Sequence, residues 1–152
     1  MIDEETRAIT HECLERLLER AMESGRETGA LNAFLRCGNG DMGIICKTAD
    51  RFGCFMVVKY PDREGWYSYG RNWYEILKQV IFHFWNRMEE NPMLKDELFR
   101  ETGINPDNRF HAWIVKRYCA PKLETFLKLC RYEGIQVDWR HRPKYLDLEP
   151  WK

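Results

Sequence analysis

No stretch of this 152-residue chain approaches the roughly 18 consecutive apolar residues that a membrane-spanning helix requires, so no membrane partner is expected. The first residues, MIDEETRAITHE, are acidic where a secretory leader would be basic and then apolar, and the expected location is cytoplasmic. Closely spaced cysteine pairs are also missing. The six cysteines, Cys13, Cys37, Cys46, Cys54, Cys119 and Cys130, contain no C-x-x-C pair and lie in apolar segments, where they read as reduced core residues. Structural zinc sites set their ligand pairs two to four residues apart, a spacing that Cys37, Cys46 and Cys54 do not have, so no metal is expected.

Catalytic motifs are equally sparse. There is no Gly-rich loop running into Lys-Ser or Lys-Thr, and no Ser, His and acid grouping of a hydrolase kind. The four histidines, His11, His83, His111 and His141, are scattered along the chain. A phosphate-cleaving set of His111, Lys116 and His141 can be drawn, since such chemistry needs an acid, a base and a cation near one oxygen. The stronger expectation is a protein that is not an enzyme and carries no cofactor. Net charge is zero, which removes a global basic signature for nucleic acid.

What is present is a composition of 44% hydrophobic and 32% charged residues, that of a folded globular chain. Its charge is unevenly distributed. Residues 1–69 hold 9 basic and 12 acidic side chains, and residues 70–152 hold 15 and 12. Between Arg109 and Lys144 there are 9 basic residues against only Glu124, Glu133 and Asp138. A basic run of this kind is either the solvated face of a helix or an electrostatic footprint.

The periodicity predicts an α+β fold, with an N-terminal helix and small antiparallel sheet followed by a C-terminal four-helix unit. In DEETRAITHECLERLLERAMESG, Ile9, Cys13, Leu14, Leu17, Leu18 and Ala21 recur at three- and four-residue steps, the stripe of an amphipathic helix ending at Gly25 or Gly29. The runs LNAFLRC, MGIICK, FGCFMVVKYP and WYSYG, separated by Gly-, Asn- and Asp-rich turns, read as a meander of three or four strands. Together these make a first unit over residues 1–72. Trp66, Tyr67, Tyr69, Trp73 and Tyr74 then mark a seam between two units, in preference to a stacking surface for a ligand.

Residues 73–152 read as the helical unit with a basic tail. Ile76, Leu77, Val80, Ile81, Phe84, Trp85 and Met88 give a continuous apolar face, closed by Pro92. A shorter helix in MLKDELFRETG turns Leu94 and Leu98 inward, leaves the direction of Phe99 open, and stops at Gly103. Asn105 and Pro106 open a third helix with Phe110, Trp113 and Ile114 on its core side. Pro121 opens a fourth, which buries Leu123, Phe126, Leu127 and Cys130 and ends at Gly134.

The order ELFRETGINP, then a third helix, then APKLETFLKLCRYEGI resembles the lambda-repressor-like (Xre-type) helix-turn-helix domain over about residues 74–139. That resemblance implies a turn at Gly103 to Pro106 and a third helix lying in the major groove of duplex DNA. It implies base-facing positions at Asp107, Asn108, Arg109, His111 and Ala112, where Asn suits an adenine edge and Arg a guanine edge. Lys116, Arg117 and Lys122 would then stand beside phosphates, with Arg140, His141 and Arg142 in a basic tail. The implied function is that of a small transcription regulator, acting as a homodimer on half-sites about one DNA turn apart.

Two features depart from the family. Phe99 stands where a small residue is usual, so the third helix is pushed outward unless Phe99 points elsewhere. Asp96, Glu97 and Glu101 put acids on the helix that approaches the DNA backbone, where they repel phosphate. The alternative reading keeps the scaffold as a protein-interaction module without DNA binding, and it needs Phe110 and Trp113 exposed.

Overall fold

The structure, a computed structural model, describes residues 3–36, 40–69, 72–115 and 120–142. The first helix, α1 (Glu4–Glu23), is capped by Asp3, whose carboxylate accepts from the Thr6 amide at 2.6 Å, and Glu4 and Glu5 sit in its first turn. Its stripe packs inward as the spacing requires. Cys13, Leu17 and Ala21 are fully buried, with Ile9, Leu14 and Leu18 against the same core.

The next two segments are helices, where the sequence reading expected strands. LNAFLRC lies mostly in α2 (Gly29–Arg36) and MGIICK opens α3 (Met42–Arg51). The physical reason lies in the spacing and the caps. Met42, Ile45, Cys46 and Ala49 are buried at helical steps, and the Asp41 carboxylate accepts from the Ile44 amide at 2.8 Å to start the helix. Leu31 is the buried residue of α2, with Phe34 and Leu35 packed beside it. Local β-propensity in Ile44-Ile45 yields to this pattern, and Ile44 is left exposed.

Strand β1 (Cys54–Lys59) forms where FGCFMVVKYP predicts it, and β2 (Tyr67–Ser68) is only two residues long. The third strand, β3 (Gln136–His141), comes from the stretch that the resemblance treats as a helix exit and basic tail. The sheet has the order β2-β1-β3, antiparallel throughout, with Met56 opposite Trp139 and Val58 opposite Val137. Its central strand thus precedes residue 72 and its longer partner follows it. One core cluster also takes residues from both sides of that position.

A sheet edge exposes unpaired carbonyls, and α1 covers those of β3 with arginines. Arg16 donates to the Val137 carbonyl and Arg20 to that of Trp139, each at 3.2 Å. Between them lies Asp138, whose carboxylate is 3.3 Å from Arg16, 3.7 Å from Arg20 and 3.0 Å from Arg140. Burial pulls the Asp138 carboxyl upward, but the Trp139 amide and the three guanidiniums outweigh it and hold it below the usual carboxylate range. Trp139 is fully buried and donates from its indole to the Cys13 carbonyl at 3.1 Å, so α1 and the sheet are joined by a satisfied aromatic anchor.

Four further helices follow in the second half: α4 (Trp73–Glu90), α5 (Leu94–Thr102), α6 (Pro106–Val115) and α7 (Leu123–Tyr132). The expected stripes of α4 and α7 are buried, from Ile76 to Phe84 and from Leu123 to Cys130. At the start of α4, the Tyr74 hydroxyl donates to the Ile114 carbonyl of α6 at 2.9 Å. Trp73 lies so close to Gly43 of α3 that an added Cβ would sit 3.1 Å from its ring. These two aromatics of the cluster therefore tie helices together. Trp66 remains partly exposed, with the Arg140 guanidinium 5.1 Å above its ring.

Candidate nucleic-acid interface

The segment from α5 to α6 is built from local chemistry. Asp96 and Glu97 stand at the positive end of α5, and Leu94 and Leu98 anchor it in the core. The Thr102 hydroxyl donates to the Leu98 carbonyl at 2.7 Å and accepts from the Ile104 amide at 3.1 Å, binding the last turn of the helix to the residue after it. Gly103 terminates α5 at φ +76°, the left-handed conformation that glycine adopts without steric cost, with its amide donating to Phe99 at 2.8 Å. Ile104 then turns inward and is buried. The Asn105 side chain accepts from the Asp107 amide at 3.0 Å and Pro106 takes the first helical position, so α6 starts after a turn of three residues.

On α6, Phe110 is 0% exposed and Trp113 5% exposed. Phe110 packs edge-on against Phe84 of α4, with ring centres 5.7 Å apart. Asp107, Asn108, Arg109 and His111 are exposed. Asn108 and His111, three residues apart, share one outer face. Arg109 lies about 100° round the helix from Asn108 and looks toward the turn and α7. There it lines a cleft of 160 Å³ with Thr102, Trp113, Thr125 and Lys128. Lys95 of α5 forms an ion pair with Asp107, which offsets the acid in the first turn of α6.

Of the residues that the resemblance assigns to DNA, the structure brings Asn108, Arg109 and His111 together on α6. Lys122 is exposed but belongs to another element, just before α7, where its backbone forms an isolated antiparallel bridge with that of Asp41 ahead of α3. Lys116 and Arg117 lie outside the described residues. Phe99 is 52% exposed and so points away from the core, which leaves α6 unobstructed by its bulk. Asp96, Glu97 and Glu101 are exposed on α5.

No family model, curated protein or solved structure matches the chain. The site is therefore read from its own geometry.

Two groupings went unseen in the sequence. Arg109 and Lys128 share a cleft although 19 positions separate them in the chain. Glu133, just past α7, receives Arg87 at 2.6 Å and His83 at 3.3 Å beside a groove of 560 Å³ that Arg63 also lines. Neither has a local sequence signal, because each depends on how α7 packs. Among the described residues no group of three or more His, Cys, Asp or Glu is arranged to hold a metal ion. No described helix is long and apolar enough to cross a membrane.

Proposed function

We propose that the chain is a small cytoplasmic DNA-binding regulator that presents α6 to the major groove of duplex DNA. The observation carrying this reading is the three-residue turn at Gly103, which joins two core-anchored helices and leaves Asn108 and His111 on the outer face of the second. A helix presented in this way fits the width of the major groove, and Asn108 has the paired donor and acceptor that an adenine edge requires. Lys122, with Lys116 and Arg117, supplies phosphate contacts, and a homodimer provides two such helices for two half-sites.

The test is selection of bound sequences from a random duplex pool, followed by the same selection with Asn108→Ala. The account predicts an enriched motif that loses its preference at one position in the variant, by about 1–3 kcal/mol of base discrimination. An unenriched pool would sink sequence-specific recognition.

A second reading, a protein-interaction module on the same scaffold, has lost the exposed Phe110 and Trp113 that it called for. It draws instead on Phe82, Met93 and Phe99, which are 39%, 69% and 52% exposed. Phe99→Ser distinguishes the two readings, because it leaves DNA affinity unchanged if α6 is the interface.

A further inference from the structure

The outward side of α4 carries Lys78, Phe82, Trp85 and Glu89 at steps of four, three and four. At about 100° per residue these four lie within about 60° of arc and run roughly 16 Å along the helix, as one narrow seam. Phe82 is 39% exposed and Trp85 half-buried, and their rings meet at 5.6 Å as a single aromatic patch. Lys78 stands a turn before the patch and the exposed Glu89 a turn after it. The buried stripe of the same helix, from Ile76 to Phe84, is committed to the core on the other side. An aromatic patch between opposite charges has the form of an interface.

We propose that this seam pairs with the same seam of a second copy, antiparallel about a two-fold axis level with His83 and Phe84. Charge decides the occupant. In that register Lys78 faces the partner's Glu89 and Phe82 faces the partner's Trp85, and the symmetry makes each contact twice. A parallel pairing would instead set Lys78 against Lys78 and Glu89 against Glu89, and an antiparallel one centred on Phe82 would set Glu75 against Glu89. Like charges opposed across an interface are costly, so both of these are disfavoured. The Lys78 ammonium is held by Glu75 at 2.7 Å, which fixes its place on the helix, and its three donors leave room for a second carboxylate. Four aromatic rings then fill the centre of the contact, with the ion pairs at its rim. The pairing stands on α4 alone. That it is the homodimer which carries two copies of α6 to DNA rests on the function proposed above.

The experiment is sedimentation equilibrium of the full chain. A seam of this length belongs with the small, weak interfaces, so concentrations of about 10–300 μM are used. Wild type should show a monomer–dimer equilibrium. Lys78→Glu and Glu89→Lys each create two like-charge contacts, and each should weaken association at least tenfold. An equimolar mixture of the two variants should recover it, because the mixed pair sets acid against base at both ends. The double variant Lys78→Glu/Glu89→Lys should recover it as well. Such recovery cannot come from chains that have failed to fold. Phe82→Ser, at an exposed position, should weaken association without rescue by either charge change.

A dimer that each reversal weakens and mixing restores supports the seam. A wild type that stays monomeric across the range overturns it, as does a dimer that neither reversal weakens, or weakened variants that mixing leaves apart. A rescued dimer that binds no duplex DNA supports the seam and overturns the DNA reading. A monomeric chain whose duplex binding still falls with salt overturns the seam and leaves the DNA reading standing.

Discussion

Asp138→Asn isolates the joint between α1 and the sheet, because it preserves the shape of the side chain while removing the charge that three arginines share. Asp138 is 17% exposed, and Arg16, Arg20 and Arg140 are 34%, 30% and 39% exposed. A hydrogen bond to a charged group contributes roughly 1.5–3 kcal/mol when shielded, and exposed ion pairs only about 0.2–1 kcal/mol. Partners that are about one-third exposed put the whole cluster nearer the lower figure, and the expected loss at pH 7 is about 1–2 kcal/mol.

The pH dependence gives the sharper criterion. The Asp138 carboxyl is held below its unfolded value of about 3.9, so its contribution is complete above that pH and disappears as pH falls through the native value. Urea unfolding of the two proteins should differ at neutral pH, and the gap should shrink as pH falls below about 3.9 and the native carboxyl takes up its proton. Equal stabilities at pH 7, or a gap of undiminished size at low pH, would refute the assignment of Asp138 as the charged centre of this joint.

Gly103→Ala should cost about 1–2 kcal/mol from the left-handed backbone alone, since an added Cβ there meets nothing within 4 Å, and thermal unfolding would show it. Phe110→Ala should cost about 3–5 kcal/mol in denaturant unfolding, whereas Asn108→Ala on the same helix stays within about 0.5 kcal/mol. At pH 8, peptide mapping after alkylation of the native protein should find Cys13, Cys46, Cys54 and Cys130 unmodified. All four are buried, with burial pushing Cys13 and Cys54 up to about 11 and Cys46 to about 12, and labelling follows only on unfolding.

The helices of the second half were legible because their apolar stripes are long and their stops are chemical, as at Gly103 and Gly134, both with φ near +75°. Strand β1 was legible for its β-branched and aromatic run. Helices α2 and α3 were obscured by their length: eight and ten residues supply few repeats, and Ile, Phe and Leu between glycines resemble short strands. Strand β3 was hidden for a different reason. Its residues, Gln-Val-Asp-Trp-Arg-His, hold only two apolar positions, too short an alternation to stand out, and the partner strand lies some eighty positions earlier.

The site shows the same division. That Asn108, Arg109 and His111 share a helix followed from spacing. That Arg109 turns toward Lys128, and that Phe99 turns to solvent, depended on the packing of α5, α6 and α7 together.

The central claim is that α6 and its neighbours form a surface for duplex DNA, and the most direct test is the salt dependence of binding to random duplex. The account predicts measurable affinity at low salt that falls linearly in log–log form, with a slope of about −0.9 for each phosphate contacted. Charge reversal at Lys122 should flatten that slope. No binding at low ionic strength, or binding indifferent to salt, would contradict the claim.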